Sequence, residues 1–483
     1  MSRTPLALIA LVALLTLAAL WWGTPRPPHV SDDTAGDATL AAQLREHTRA
    51  SGHQSVAAAV ITADSITHAA IGEATPGSST PIQPADPIEL GSITKTFNGF
   101  LLADAITRGE VGADDPVSTH LPELADSPIG AVTLTELATH RGGVPPLPPS
   151  VTLPSIGHAF TGSNPYAGAT EEEVLAEVRT LELLDGRGEV QYSNLGASLL
   201  GWALANAAGA PDWDAHVHER LLDPLGIDAT FATGPADIPP GTVPGYTSNG
   251  FHPEAWTSPA YRPAGSSTYI SPAATAAYAQ AILTDRVPGA EAMDPRFDAG
   301  SGQRIGLAWF TREHAGRTLT WHNGGTAGFR TMLAIDREAG RAVFTVSNTD
   351  AAVDDLAFTL LTGEDQGSGG LPVWLLALIP GVATLMVAGA WWNALRGRDR
   401  VALLSGIGGA VFAVALARIL GDWATVGAWV WIVLTIATAG ATAVAIRRWP
   451  QLPWHPKRFR VLRWINAGIS LGLAVAALVF IRI

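Results

Sequence analysis

Hydrophobic and polar positions divide this chain into three unlike parts. Residues 5–22, PLALIALVALLTLAALWW, form an uncharged run preceded by Arg3. The run is long for a signal-peptide core and lacks a small-x-small cleavage site, so segment 1–23 reads as an uncleaved signal anchor in preference to a removed signal peptide. The polar, proline-containing stretch 24–37 reads as a linker. From 38 to 362 the pattern is that of a mixed soluble domain. TLAAQLREHTRASG at 39–52 predicts a helix that ends at a glycine, and VAAAVITAD at 56–64 and SITHAAIG at 65–72 predict two short strands. Near the far end RIGLAWFT, RTLTWHN, GFRTMLAID and RAVFTVSN alternate or run apolar over strand lengths, and AAVDDLAFTLLTG closes the domain as a helix. The segments between are helix-rich. The terminal segments are therefore expected to share one antiparallel sheet flanked by helices, with the middle inserted as a helical region, an α/β (α+β) class. A second linker at 363–370 leads to residues 371–483, where apolar stretches near 371–392, 401–417, 424–446 and 464–481 predict about four transmembrane helices, the second at the lower limit of length.

The basic residues orient these spans. Arg396, Arg398 and Arg400 follow the first stretch, while Arg447, Arg448, Lys457, Arg458, Arg460 and Arg463 lie between the third and fourth. Two hydrophobic passes separate the clusters, so both fall on one side, which the positive-inside rule makes cytoplasmic. The expectation is a multi-pass protein of the cell membrane whose 38–362 domain is extracytoplasmic and whose partners include membrane lipid. Trp374, Trp391, Trp392, Trp423, Trp449 and Trp464 sit near span ends, where interfacial aromatic belts are expected. Residues 31–370 carry 17 basic and 41 acidic side chains, a net of −24, whereas 371–483 carry 11 and 2, a net of +9. An outer domain of that charge repels polyanions, which argues against nucleic-acid binding. The absence of cysteine excludes disulfides, thiol catalysis and thiolate metal sites.

Only two lysines accompany 28 arginines, and Lys95 is the only one before the C-terminal membrane region. In SITKTFNGFLLADAITRGE an amphipathic helix is expected to begin close to Ser92, which puts Lys95 one turn on and on the same face. Serine is a poor nucleophile until a base takes its proton. A lysine amine can lose its own proton when desolvated, whereas arginine stays charged, so this position has a chemical reason to exclude arginine. Other clusters carry less. His216, His218 and Glu219 in HVHER face apart and read as ordinary exposed helix residues, with no metal site assigned. His140 in THRGG reads as a loop-holding residue, Asp114 and Asp115 as a turn, and Glu171, Glu172 and Glu173 as a helix N-terminus.

Two further elements follow in order: QYSNLGASLLG, with Tyr192, Ser193 and Asn194, and TWHNGGTAGF, with His322, Asn323, Gly324 and Gly325. With S-x-x-K these resemble the three motifs of the serine β-lactamase and penicillin-binding-protein superfamily, and more closely the class C β-lactamase-related hydrolases and the serine D-alanyl-D-alanine carboxypeptidases of actinomycetes. The blocks LGSITKTF, ADDPVSTHLPEL, LTELATHRGGVP, YSNLGASLLGWAL, LLDPLGI and WHNGGTAGFRT extend the resemblance over residues 89 to about 349. It implies a β-lactamase/transpeptidase-like fold, no cofactor, and a small ester, amide or peptide substrate, cell-wall peptide included. Ser92 would be the acylated nucleophile, Lys95 the base or relay, and Tyr192 its proton-exchanging partner, with the choice of base open between Lys95 and Tyr192. Asn194 would bind the substrate amide, the strand from His322 through Gly324 to Gly325 would line the other wall, and the N–H groups of Ser92 and Gly325 would form the oxyanion hole.

The third motif departs from the K-T-G form. His322 and Asn323 replace the lysine and threonine that would hold a substrate carboxylate, and a histidine of ordinary pKa, about 6.5, is a weak anchor at neutral pH. Arg262 and Arg304 are possible substitutes. Alternatives to a hydrolase of cell-wall peptides are an esterase on small neutral substrates, or a sensor of β-lactams or peptides signalling through the C-terminal helices, for which the cytoplasmic loops are too short to hold an effector domain. A module that kept the fold and lost activity is disfavoured by the intact Ser, Lys, Tyr and Asn.

Overall fold

A computed structural model of the chain describes residues 3–364, 373–454 and 460–480. Among them the larger sheet runs, edge to edge, through β1 (Thr34–Gly36), β3 (Ile66–Gly72), β2 (Ser55–Thr62), β12 (Arg341–Ser347), β11 (Arg330–Asp336), β10 (Arg317–Gly325), β9 (Phe310–His314), β8 (Gln303–Ile305) and β7 (Phe297–Gly300). All its pairings are antiparallel, and β2 meets β12 with Ala59 opposite Phe344, so the two ends of the domain close one sheet. The alternating faces of β2 explain its continuous apolar run. Ala57, Ala59 and Ile61 join the core shared with the helical region, while Val56 and Ala58 join a second core under the helices Ala38–His47 and Asp354–Thr362. A small sheet in the inserted region, β4 (Ile88–Glu89), β6 (Thr268–Ile270) and β5 (Ala229–Phe231), leads straight into the segment that carries Ser92.

Several boundaries differ from the pattern. The stretch 24–37, read as a linker, contains β1, which pairs Thr34 with Ile71 and Gly36 with Ala69, so the sheet begins before residue 38. The first helix of the domain stops at His47, because the Arg49–Gly52 segment is drawn away: Ser51 bridges to His29 and the Gly52 N–H donates to the Pro28 carbonyl at 2.9 Å. RIGLAWFT is two strands, not one. Leu307 N–H donates to Ala292 O and Ala308 N–H to Ala138 O, with Ala308 at φ 61°, which pulls the chain out of the ladder and onto the helical region. The linker at 363–370 lies largely outside the described residues.

Among the described residues four helices are long and apolar enough to cross a membrane: Pro5–Gly23, Trp374–Arg396, Arg400–Leu420 and Trp429–Gln451. The Arg400–Leu420 helix, expected to be marginal, has 21 residues, about 32 Å of rise, because it extends past the apolar stretch at both ends. The last helix, Arg460–Phe480, has a shorter apolar part at Trp464–Ala476. At one end of the bundle Arg448 donates to Ala394 O at 2.7 Å and Arg400 to Trp449 O at 3.0 Å. At the other end Arg418 donates to Gly23 O at 2.6 Å, tying two apolar helices together, and the domain meets them there through the Asn249 amide, which joins Gly421 O and Trp423 N–H at 2.8 and 3.1 Å. Trp423, expected in an interfacial belt, is buried in this junction with its indole N–H on Arg418 O.

Candidate active site

The segment Glu89–Thr107 is shaped by packing. A 3₁₀ turn at Gly91–Thr94 carries Ser92 and runs into the helix Lys95–Thr107. This helix is not amphipathic as expected: residues 95–103 are buried on all sides, because helices and the large sheet surround it. Three glycines bring the Ser92 turn against the end of β10. Gly91 adopts φ 67°, where a side chain is strained, and a Cβ there would lie 2.7 Å from Gly325 N. A Cβ on Gly265 would strike the Gly91 carbonyl, and one on Gly324 would strike Leu90 O and the Thr331 hydroxyl. That hydroxyl instead donates to Leu90 O at 2.7 Å, tying β11 to the strand before Ser92.

Lys95 is 1 % exposed, and its Nζ lies 2.9 Å from Ser92 Oγ and 2.6 Å from the Ala264 carbonyl. Burial holds its pKa well below the usual lysine range. Tyr192 presents its ring 4.9 Å from the same nitrogen. Burial around its hydroxyl pushes its pKa up, opposed by a hydrogen bond with Ser92, although 39 % of the residue is exposed along the cleft. The side chain of Asn194, first residue of the helix Asn194–Ala207, donates from Nδ2 to Tyr166 Oη at 3.4 Å and leaves Oδ1 buried with no partner among the described residues.

His322 behaves differently from the expectation of an ordinary imidazole. It is fully buried, and burial, reinforced by the nearby Lys95, drives its pKa down to about 3. Its Nδ1 lies 2.6 Å from the Asn323 carbonyl, so Nδ1 must carry the hydrogen and Nε2 keeps a lone pair. His322 is thus a neutral group throughout the physiological range. Asn323 is turned to the opposite face of the strand, donating to Asp354 at 2.7 Å. Neither proposed arginine joins the motif: the Arg262 guanidinium is committed to Asp214 and the Pro259 carbonyl, and Arg304 sits on β8 near the sheet edge, bonded to Arg296 O.

The structure therefore brings Ser92, Lys95, Tyr192, His322, Gly324 and Gly325 together, with Asn194 on the facing helix. It adds groups that no short motif announced: the Ala264 carbonyl, Gly91, Gly265 and Tyr166. His140 does more than hold a loop. Its ring lies 4.4 Å from that of Tyr192, its Nδ1 accepts from Ser193 N–H at 3.2 Å, and its backbone is left-handed at φ 55°. His216, read as exposed, is buried, and His218 pairs with Asp223 at 3.1 Å. Glu173 closes a capping box with Thr170, as its place at a helix N-terminus suggested.

Residues 40–362 match the beta-lactamase family. The chain belongs to that family. Among curated relatives, the D-alanyl-D-alanine-carboxypeptidase/endopeptidase AmpH of Escherichia coli (strain K12) is 30 % identical over 190 residues, 38 % of this chain and 47 % of the relative. A beta-lactamase of the same organism is 30 % identical over 196 residues, 40 % and 43 % of the two chains. The chain thus spans about half the length of these relatives. Solved structures extend the likeness in fold. A class C beta-lactamase from Rhodobacter sphaeroides superposes with a TM-score of 0.53 at 21 % identity, covering 65 % of this chain and 93 % of the other. The D-alanine carboxypeptidase AmpC from Burkholderia cenocepacia gives 0.53 at 18 %, covering 65 % and 92 %. The beta-lactamase family member described here carries this fold together with apolar helices outside the matched region.

Proposed function

We propose that the protein is a membrane-tethered, extracytoplasmic serine hydrolase that opens ester, amide or peptide bonds through a Ser92 acyl-enzyme. The observation that carries this is the buried amine of Lys95, 2.9 Å from Ser92 Oγ. With its pKa lowered, Lys95 serves as base; Tyr192, with its pKa raised, stays protonated and donates to the leaving group. Ser92 Oγ attacks the carbonyl carbon, its proton passes to Lys95, and the C–O or C–N bond breaks as the leaving group takes a proton by way of Tyr192. Water then attacks the acyl-enzyme by the same route and restores Ser92. The N–H groups of Ser92 and Gly325 hold the oxyanion, and Asn194 Oδ1 accepts from a substrate amide. Labelling by a fluorophosphonate and a fluorescent penicillin, followed by mass mapping, tests the reading: the adduct belongs on Ser92, and an unlabelled protein refutes it.

Neutrality of His322 argues for small neutral esters or amides over carboxylate-bearing β-lactams and D-alanyl peptides. A folded pKa of about 3 against about 6.5 unfolded means that protonation occurs only in strong acid, so no carboxylate anchor appears or vanishes between pH 5.5 and 8. The ratio of kcat/KM for a penicillin to that for a p-nitrophenyl ester should be low and flat across that window. A ratio that falls through pH 6–7 would reveal a titrating anchor. For topology, the arginine clusters at the bundle end away from the domain support an outer domain. Protease added to intact cells should cut near Gly367 and spare the loop around Pro453; the reverse pattern overturns the placement.

A further inference from the structure

The strand that carries Gly325 runs on into the end of the domain that meets the apolar helices. Ala327 is two residues beyond Gly325, so its Cα lies at most about 7.6 Å from that of the oxyanion glycine. Ala327 also lines a cavity of about 240 Å³ whose other walls include Ile419 and Leu420, at the end of the Arg400–Leu420 span, and His158 and Thr161. The last two belong to the helix Pro149–Thr161, which lies against the Arg460–Phe480 helix and carries Leu153 and Ile156 at 72 % and 60 % exposure on one face. From this helix a line of rings returns to the cleft. His158 lies 5.9 Å from Trp256, Trp256 lies 5.1 Å from Tyr166, and the Tyr166 hydroxyl accepts from Asn194.

We infer that the acyl donor or leaving group cleaved at Ser92 belongs to an amphiphile resident in the outer leaflet, whose apolar tail stays in the bilayer while its ester or amide bond enters the cleft past the Thr326–Phe329 turn. This rests on the hydrolase reading and names its substrate class. Two independent features meet in it. The cavity sets Ala327, two residues past Gly325, beside Ile419 and Leu420 at the end of an apolar helix, and the Pro149–Thr161 helix, which touches the Arg460–Phe480 helix, leaves Leu153 and Ile156 bare on a face that acyl chains and headgroups would cover. The chemistry is the same two-step hydrolysis, with the leaving group or acyl chain released into the leaflet.

The test uses the full chain in phosphatidylcholine–phosphatidylglycerol nanodiscs and two p-nitrophenyl esters with the same scissile group. One is short-chain and water-soluble; the other carries a long alkyl tail dissolved in the disc. The tailed ester should show a kcat/KM at least about tenfold higher at equal surface-corrected concentration. The double variant Leu153→Asp, Ile156→Asp should lower the tailed-to-soluble ratio at least about fivefold, with folding checked by near-ultraviolet circular dichroism; should it not fold, the wild-type ratio decides alone. Equal turnover of the two esters, with Ser92 still labelled, overturns the inference and leaves the hydrolase standing. Turnover of neither ester, with Ser92 unlabelled, overturns both.

Discussion

Ser92→Ala and Lys95→Arg should each lower kcat/KM for a small ester by about 10³-fold or more while leaving the circular dichroism spectrum unchanged. For Ser92 the reason is loss of the atom that the proposed mechanism acylates. For Lys95 the reason is burial. The side chain is 1 % exposed, with its amine between Ser92 Oγ and the Ala264 carbonyl. A neutral amine can keep an N–H on Ala264 and turn its lone pair to the Ser92 hydroxyl. A guanidinium cannot release its proton at any working pH, and its planar, longer head does not fit the same space. The pH profile follows from the same shift: the active form is the neutral amine, so activity rises with pH and levels off well below the usual lysine pKa. Turnover within tenfold of the native enzyme in either variant would remove the pair from the mechanism.

Gly324→Ala is the second large effect. The added methyl group would strike the Leu90 carbonyl and the Thr331 hydroxyl and come within 3.2 Å of Ser92 N. Backbone cannot swing aside as a flexible side chain can, so β10 must move away from the Ser92 turn and carry the Gly325 N–H with it. Removal of one oxyanion donor costs roughly 10²–10³ in kcat, and overpacking costs about 1–3 kcal/mol of stability. Gly234→Ala is the control: nothing lies within 4 Å of its Cβ and its φ of −155° suits any residue. Steady-state kinetics and a denaturant melt check both effects, and a Gly324→Ala enzyme with native kcat would mean that Gly325 does not hold the oxyanion.

Much of the sheet was legible because its strands are apolar on both faces and separated by turn residues, as in GFRTMLAID and RAVFTVSN, so β11 and β12 appear where the pattern places them. β1 was not. Thr34–Gly36 is short and half exposed, and its only reason to be a strand is the edge that β3 offers. RIGLAWFT was misread because backbone contacts with Ala292 and Ala138, distant in sequence, outweigh its local strand propensity. The N-terminal run and three of the four C-terminal apolar stretches were legible as candidate spans through length and hydropathy, the last one falling short, whereas Trp423 is held by Asn249, 174 residues away.

The amino-acid sequence by itself determined the family and the proximity of Ser92 and Lys95, since the two meet by helical spacing alone, and it marked off the apolar stretches from the rest of the chain, since hydropathy is a local property. Tertiary structure alone decided the electrical state of the site. Whether Lys95 can lose its proton, and whether His322 can hold one, depends on desolvation by segments far away in the chain, among them the Ala264 carbonyl 169 residues from Lys95. It also decided that Arg262 and Arg304 are engaged elsewhere, and that Ala327, two residues past Gly325, shares a cavity with Ile419 and Leu420. Spacing along a helix can be read in one dimension; dielectric surroundings and through-space partners exist only once the chain has folded.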